Sequence, residues 1–259
     1  GSMEGIIAAV CGGADAVYFG TGDYNARRNA KNLEGEELAE AFRYCRLRGV
    51  KTYVTMNTLV TDRELVRAKE LVLKLSELGA DALIVQDLGM ARLIRSVAPD
   101  LPIHASTQMT LHNLGGVLAA QKLGFTRVVL SRELPLKEIE FICKRSPVEI
   151  EVFVHGALCM CYSGQCYLSA AIGGRSGNRG RCAQPCRQSY GYSRWENRYP
   201  LSLKDNCLIQ YVKELEDMGV ASLKIEGRMK RPEYVAAVTS IYRQALDGGE
   251  ITGEMMNVL

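Results

Sequence analysis

Short β-branched runs alternate with longer amphipathic stretches along nearly all of this 259-residue chain, and that alternation limits the fold more than any other feature. Strand–helix alternation at this spacing builds parallel βαβ units. It predicts strands at Ala16–Phe19, Lys51–Met56, Ala82–Val85, Ile103–Ala105, Arg127–Leu130, Glu149–Val154 and Ser222–Ile225. Runs such as AVYF, ALIV and VVL lack a polar alternation, which suits strands covered on both faces. Apolar residues at helical spacing predict helices over Glu4–Gly12, Glu34–Arg48, Asp62–Leu78, Leu88–Val97, Asn113–Lys122, Leu136–Lys144, Leu208–Met218 and Pro232–Leu246. Gly49, Gly79, Gly124 and Gly219 close four of them, supplying the left-handed residue that ends a helix.

The length and the pattern suit a TIM-like (β/α)8 barrel, which needs about 250 residues. Seven strands are visible, and a helical segment stands before the first of them, so the expectation is an α/β barrel lacking its first strand. Gly1-Ser2-Met3 reads as a tag remnant. Residues 4–249 read as the barrel, with a cysteine-rich insertion around 157–207, and residues 250–259 as a truncated linker. The stretch from Ser169 to Pro200 is too long for a routine connection, and such loops are usually functional.

Cys159, Cys161, Cys166, Cys182, Cys186 and Cys207 fall within that insertion, among Gly, Ser, Arg and Gln. Isolated cysteines on patterned segments, such as Cys11, Cys45 and Cys143, behave as small buried hydrophobes. Clustered thiolates are soft ligands that select iron–sulfur clusters, zinc or Cu(I). Four of them suit a [4Fe–4S] cluster, with a zinc site built on four cysteines as the alternative. An odd count of nine cysteines without a secretory leader points to a reducing, cytoplasmic compartment. No apolar run reaches the roughly 18 residues of a membrane span, and a net charge of +3 does not by itself identify a nucleic-acid partner.

A barrel places its site at the strand C-termini. There the chain carries Asn25, Arg27 and Arg28, then Asn57, Gln86 and Asp87, Ser106 to Gln108, Ser131 to Glu133, His155, and Lys224, Glu226 and Arg228. Of these, His155, Glu133, Gln108 and Asn57 are the catalytic candidates. Arg27, Arg228, Lys224 and Glu226 are the candidates for binding a cosubstrate, and Arg228 suits a small acidic one through bidentate contact with a carboxylate. His104 is expected inside the barrel. Arg175, Arg179, Arg181, Arg187, Lys224, Arg228, Lys230 and Arg231, with Tyr162, Tyr167, Tyr190, Tyr192 and Trp195 between them, form a basic rim that suits phosphates and unstacked RNA bases, or equally a solvated loop.

The segments EVFVHGALCMCYSGQCYLS, RGRCAQPCR and SLKDNCLI…LKIEGRMKRPEYVA resemble the peptidase U32 family, as do GADAVYFG, NAR, MN, QD, STQ and SREL. The resemblance runs from Glu4 to about Gly249. It implies a TIM-like barrel. Members of that family include collagenase-like proteases and oxygen-independent hydroxylases of tRNA, ribosomal RNA and the ubiquinone ring. The hydroxylases hold a [4Fe–4S] cluster on four cysteines, and those acting on RNA depend on prephenate. Carried over, the ligands are Cys159, Cys166, Cys182 and Cys207, with Cys186 replacing one of them in one branch, and Cys161 outside the pattern. The chain departs from the family in lacking the first strand and the C-terminal β-rich domain of longer members.

No H-E-x-x-H or G-x-S-x-G protease motif is present, and a Cys159 committed to iron is no nucleophile for a Cys–His pair with His155. A binding module with structural zinc leaves the polar strand ends without a purpose. The reading is therefore an iron–sulfur enzyme that hydroxylates a tRNA wobble uridine to 5-hydroxyuridine. The alternatives are a U32 peptidase and a hydroxylase of ribosomal RNA or of the ubiquinone ring. tRNA and a small carboxylate are the expected partners, and self-association is expected through the open barrel edge.

Overall fold

A computed structural model describes residues 2–26, 32–192, 195–227 and 230–259. The strands that build the main sheet form within two residues of the predicted limits. They are β1 (Ala16–Gly20), β2 (Lys51–Met56), β3 (Ala82–Val85), β4 (Ile103–Ala105), β5 (Arg127–Val129), β6 (Glu149–Gly156) and, after three short strands, β10 (Ser222–Ile225). They lie in the order β1-β2-β3-β4-β5-β6-β10, and each pairs its neighbour in parallel. The helices are α1 (Met3–Cys11), α2 (Gly35–Arg46), α3 (Asp62–Leu78), α4 (Leu88–Val97), α5 (Leu114–Lys122), α6 (Leu136–Cys143), α7 (Leu168–Gly173), α8 (Val212–Asp217), α9 (Pro232–Leu246) and α10 (Gly253–Val258). Ser2 caps α1 and accepts from Gly5 N, so the residues read as a tag remnant take part in its first turn. The 250–259 segment ends in α10.

Two expectations change. The helix predicted over Leu208–Met218 is a 3-10 turn, Ile209–Tyr211, followed by the short α8. The stretch after Ser169 is not irregular throughout. It holds α7, two 3-10 turns and an antiparallel pair, β7 (Tyr190–Tyr192) with β8 (Trp195–Arg198). Beyond it, β9 (Asn206–Cys207) pairs antiparallel with the end of β6, setting Cys207 opposite His155.

The sheet curls until its ends approach. The Tyr18 hydroxyl on β1 donates to the Ile225 carbonyl on β10 at 3.2 Å, and α1 packs on α9 outside the same seam. No backbone ladder joins β1 to β10 among the described residues. A cavity of about 1050 Å³ lies along the seam and reaches inward to Tyr53, Arg127 and Glu151. Between sheet and helices the core is apolar, built on Phe19, Leu83, Ile94, Ile103, Val128, Val154 and Val238.

Inside the curl the packing is different. Glu151 is wholly enclosed and holds Lys224 Nζ at 2.5 Å and Arg127 Nη1 at 3.1 Å. Arg127 also meets Glu149 at 2.7 Å, and Lys224 Nζ lies 4.2 Å from the Tyr18 ring centre. Burial pushes the Glu151 carboxyl up, but Lys224 and Arg127 outweigh it and hold it below the usual carboxylate range. His104 sits beside this group as expected, its ring 4.9 Å from that of Tyr53. Burial, then Arg127, drives its pKa down to about 3, so it stays neutral.

Removing one partner of a buried ion group strands the others without compensation, which costs about 3–5 kcal/mol. Glu151→Ala is therefore expected to lower unfolding stability by that order in a urea titration. A loss below about 1 kcal/mol, the scale of an exposed pair, would show that water reaches the seam.

Candidate functional site

The rim at the strand C-termini gathers some of the expected residues and disperses others. Asn57, Gln108, Lys224 and Glu226 line one small cavity of about 30 Å³ in the mouth of the curled sheet, together with Ser106, Arg132 and Phe153. Asn57 is held from both ends: its Oδ1 accepts from Ala26 N at 3.0 Å and its Nδ2 donates to Ser106 Oγ at 3.2 Å. Lys224 is in the mouth, but its charge is matched by Glu151. Arg27 and Arg228 lie outside the described residues.

His155 is turned away from this mouth. The register of β10 on β6 slips there: Lys224 pairs with Phe153, but Ile225 pairs with His155. The extra residue, Val154, makes a bulge, which re-aims the side chains beyond it. His155 then packs on Tyr234 and Tyr242 of α9, with ring centres at 6.0 and 5.5 Å. The Tyr242 hydroxyl donates to Val154 O at 2.9 Å and accepts from Leu208 N at 3.1 Å. With its one proton used, it can only accept from His155 Nδ1 at 3.3 Å, which fixes the Nδ1–H tautomer. Burial depresses the His155 pKa, so the ring is neutral. Cys207 shares that environment: its sulfur bears on Tyr242 and Tyr234.

The remaining cysteines of the insertion form a separate neighbourhood. Burial first, then the Cys166 and Cys159 sulfurs, raise the Cys161 thiol above its ordinary range. Cys186 is raised by burial, opposed by Arg187, with Cys159 and Cys182 adding to the rise. Gly177 lies between the Cys166 carbonyl and the Cys182 Cβ. Cys182 Sγ accepts from Gln184 N at 3.3 Å and from the Ser169 hydroxyl at 3.8 Å. No three His, Cys, Asp or Glu side chains among the described residues stand in ligand geometry. The donor chemistry nevertheless fits a thiolate-bound metal group. The sulfurs are soft donors on one segment, and N–H, O–H and guanidinium groups point at them.

Arg132 joins this neighbourhood to the mouth. It lines the mouth cavity, lies 4.9 Å above the Phe153 ring, donates to Ala157 O at 2.9 Å and reaches Cys159 Sγ at 4.0 Å. Its Nε is buried and without a hydrogen-bond partner among the described residues, and so are Gln86 Oε1 and Ser131 Oγ at the same rim. The sequence places Arg132 only among the polar strand ends; nothing in it signals that this side chain spans two sites.

Glu133 serves as an anchor for the cysteine segment. Its Oε1 accepts from Ser163 N at 2.9 Å and Ser163 Oγ at 3.0 Å, and Thr110 Oγ1 donates to Ser163 O at 2.7 Å. Next to them Gly164 has φ +79°, and a Cβ there would lie 2.2 Å from Gln108 O. Gly164→Ala is therefore expected to lift the segment off the Thr107–Met109 turn, read as faster proteolytic cleavage between residues 157 and 187 with the main sheet intact.

Most of the basic rim is occupied within the protein. Arg187 donates to Ser202 Oγ at 2.7 Å and Leu158 O at 2.8 Å. Arg175 donates to Arg181 O at 3.1 Å. Lys230 and Arg231 pair with Asp205 and Glu233 at the surface. Arg179 bridges to Glu64 on α3 through both terminal nitrogens, and to Leu59 O. Tyr162 and Tyr167 stay open, 66% and 64% exposed; the Trp195 side chain lies outside the described residues.

The Arg179 hydrogen bond, then the Thr61 backbone, holds the Glu64 carboxyl at about 2, below its ordinary 4.5. A depressed carboxylate stabilises the fold above the unfolded-state pKa and loses that contribution as pH falls through the folded one. The difference in thermal midpoint between wild type and Glu64→Gln is expected to be full above pH 4.5 and to vanish toward pH 2. A constant difference over that window would remove the ion pair from the stability of the segment.

A sequence model of peptidase family U32 matches residues 1–255. The chain is 43% identical over 245 residues to a 23S rRNA 5-hydroxycytidine synthase of Escherichia coli, covering 92% of this chain and 37% of that protein. It is 38% identical over 259 residues to a tRNA hydroxylation protein of Bacillus subtilis, covering 95% of this chain and 61% of the other. A collagenase of Porphyromonas gingivalis matches at 36% over 267 residues, covering 95% and 64%. The chain thus spans between about one third and two thirds of the length of these relatives. Among solved structures, a U32 peptidase superposes with a TM-score of 0.55 at 15% identity, covering 83% of this chain and 85% of that one.

Proposed function

We propose that this chain, which belongs to peptidase family U32, is the barrel of an RNA-hydroxylating enzyme that carries a [4Fe–4S] cluster and acts on a pyrimidine, first of all a tRNA wobble uridine. The observation that carries this reading is Arg132, which reaches from a polar mouth to Cys159. That contact sets a substrate mouth beside a thiol-rich segment, as a redox modification of a base requires. The names of the relatives, an rRNA hydroxycytidine synthase and a tRNA hydroxylation protein, support the substrate class.

We read the curled sheet as a (β/α)8-type barrel one strand short at the β10–β1 seam. Seven parallel strands in chain order and the Tyr18–Ile225 contact support that reading. The two unpaired edges at the seam suit strand addition, by which copies of the chain would associate. RNA as substrate and thiols kept reduced both suit a cytoplasmic enzyme.

Cys159, Cys166 and Cys182 would hold the cluster, with Cys207 or Cys186 as the fourth ligand. When bound, the cluster supplies one-electron chemistry. The chain's own part is to fix and enclose. Asn57, Ser106 and Gln108 present hydrogen-bonding groups at the mouth. Arg132 places a positive charge between mouth and sulfurs, and Glu133 keeps the segment down. Prephenate, the cosubstrate implied by the family resemblance, exceeds a 30 Å³ cavity that holds about one water, so its entry requires the rim to open. The collagenase relative keeps a peptidase as the second reading, but no thiol hydrogen-bonds to His155 among the described residues.

Anaerobically prepared protein is expected to bind about four irons per chain. Cys159→Ala, Cys166→Ala and Cys182→Ala should each abolish the brown chromophore, and Cys161→Ala should keep it. Stoichiometric zinc in place of iron would overturn the cluster. Mass spectrometry of nucleosides from cells lacking the gene is expected to show loss of 5-hydroxyuridine from tRNA. Loss of 5-hydroxycytidine from ribosomal RNA instead would move the substrate to the alternative RNA. Unchanged RNA together with cleavage of gelatin by the pure protein would establish the peptidase.

A further inference from the structure

A second pocket, of about 530 Å³, opens on the rim between the first turns of α3 and the segment around 174–181. Its wall adjoins both parts of the site already described: Thr58 follows Asn57 of the mouth, and Arg181 precedes Cys182. Four guanidinium groups line it, from Arg63, Arg67, Arg179 and Arg181, against the carboxylates of Asp23 and Glu64. Glu64 is matched by Arg179. The other three arginines are exposed, and their side chains form no ion pair or hydrogen bond among the described residues.

Arg63 and Arg67 stand four residues apart on α3, where like charges oppose one another. Arg181 is brought to the same wall from the cysteine segment, which the Arg179–Glu64 bridge ties to α3. The fold thus assembles an excess of positive charge, four arginines against two carboxylates, around a concave space. A bound oxyanion satisfies it, because guanidinium groups bind phosphate oxygens through paired, charge-assisted hydrogen bonds.

We infer that this pocket binds a backbone phosphate of the RNA substrate, through Arg63, Arg67 and Arg181, and so sets the register in which a base reaches the mouth. The inference rests on the RNA reading above. An RNA strand, unlike a free small anion, extends past a single site, and the exposed Tyr162 and Tyr167 of the same cysteine segment are stacking surfaces for its flanking bases.

The test is fluorescence anisotropy of a labelled oligouridylate with the full chain, across a salt series. For a single strand, each phosphate that a cation neutralises adds about 0.7 to the steepness of log K against log salt. Arg63→Gln/Arg67→Gln is therefore expected to flatten the slope by about 1.4 and to weaken low-salt binding by ~10-fold. Its thermal midpoint should be unchanged or higher, since a repulsive pair is removed. Lys74→Gln, farther along α3, should leave the slope unchanged. Equal slopes for wild type and the double variant, or an equal effect of Lys74→Gln, would overturn the pocket as a phosphate site. Inorganic phosphate and citrate are tested as competitors. If the double variant loses affinity for them but binds the oligouridylate as wild type does, the pocket takes a free small anion and the RNA assignment fails. Binding needs neither iron nor turnover, so a failure of the hydroxylase reading would show in the nucleoside analysis and not here.

Discussion

One enclosed carboxylate, Glu151, holds together elements that the backbone leaves apart. β1 and β10 share no ladder among the described residues. Lys224 of β10 points inward to Glu151 and lies over the Tyr18 ring of β1, while Arg127 of β5 closes the other side. Charges buried this deeply tolerate little displacement, because each depends on its partners for what water would otherwise supply. The mouth inherits its shape from this group. Lys224 lines it, Glu226 follows two residues later, and Phe153 stands between Glu151 and the bulge that turns His155 outward.

The cysteine segment is attached to that frame in a different manner. Ser163 is clasped by Glu133 and Thr110, Gly164 lies flat on the Gln108 carbonyl, and Arg179 reaches Glu64. These are polar clasps at a rim, not apolar packing. Arg132 is where the two regimes meet, its stem over Phe153 and its head at a sulfur.

The strands were legible almost to the residue, because short runs rich in apolar and β-branched residues recur between the helical patterns. His104 was legible for the same reason, as a histidine inside a strand of small apolar residues. His155 was not. Its position at the end of β6 reads as a rim residue, and only the register of β10, a property of another strand 70 residues on, shows that Val154 is bulged and the imidazole reversed. Glu133 reads as a free acid because the residue that occupies it, Ser163, comes from an insertion with no periodic pattern. The basic rim is smaller than its sequence suggests, because a count of Arg and Lys does not tell which are consumed by carbonyls and carboxylates within the chain. Arg63 and Arg67, two arginines on an amphipathic helix, look like an ordinary solvated face until Arg181 is set opposite them.

The clasps at the rim also mark the segment that opens at least cost, because few buried apolar contacts hold it. The interior charge group and the apolar shell take nothing from Cys159, Cys161, Cys166, Cys182 or Cys186, whose segment is laid over the mouth by a few hydrogen bonds and one ion pair. A metal centre seated there would be an addition to a frame that already holds its own core. Oxidative loss of such a centre would then be a local injury, leaving a folded protein available to be recharged rather than replaced.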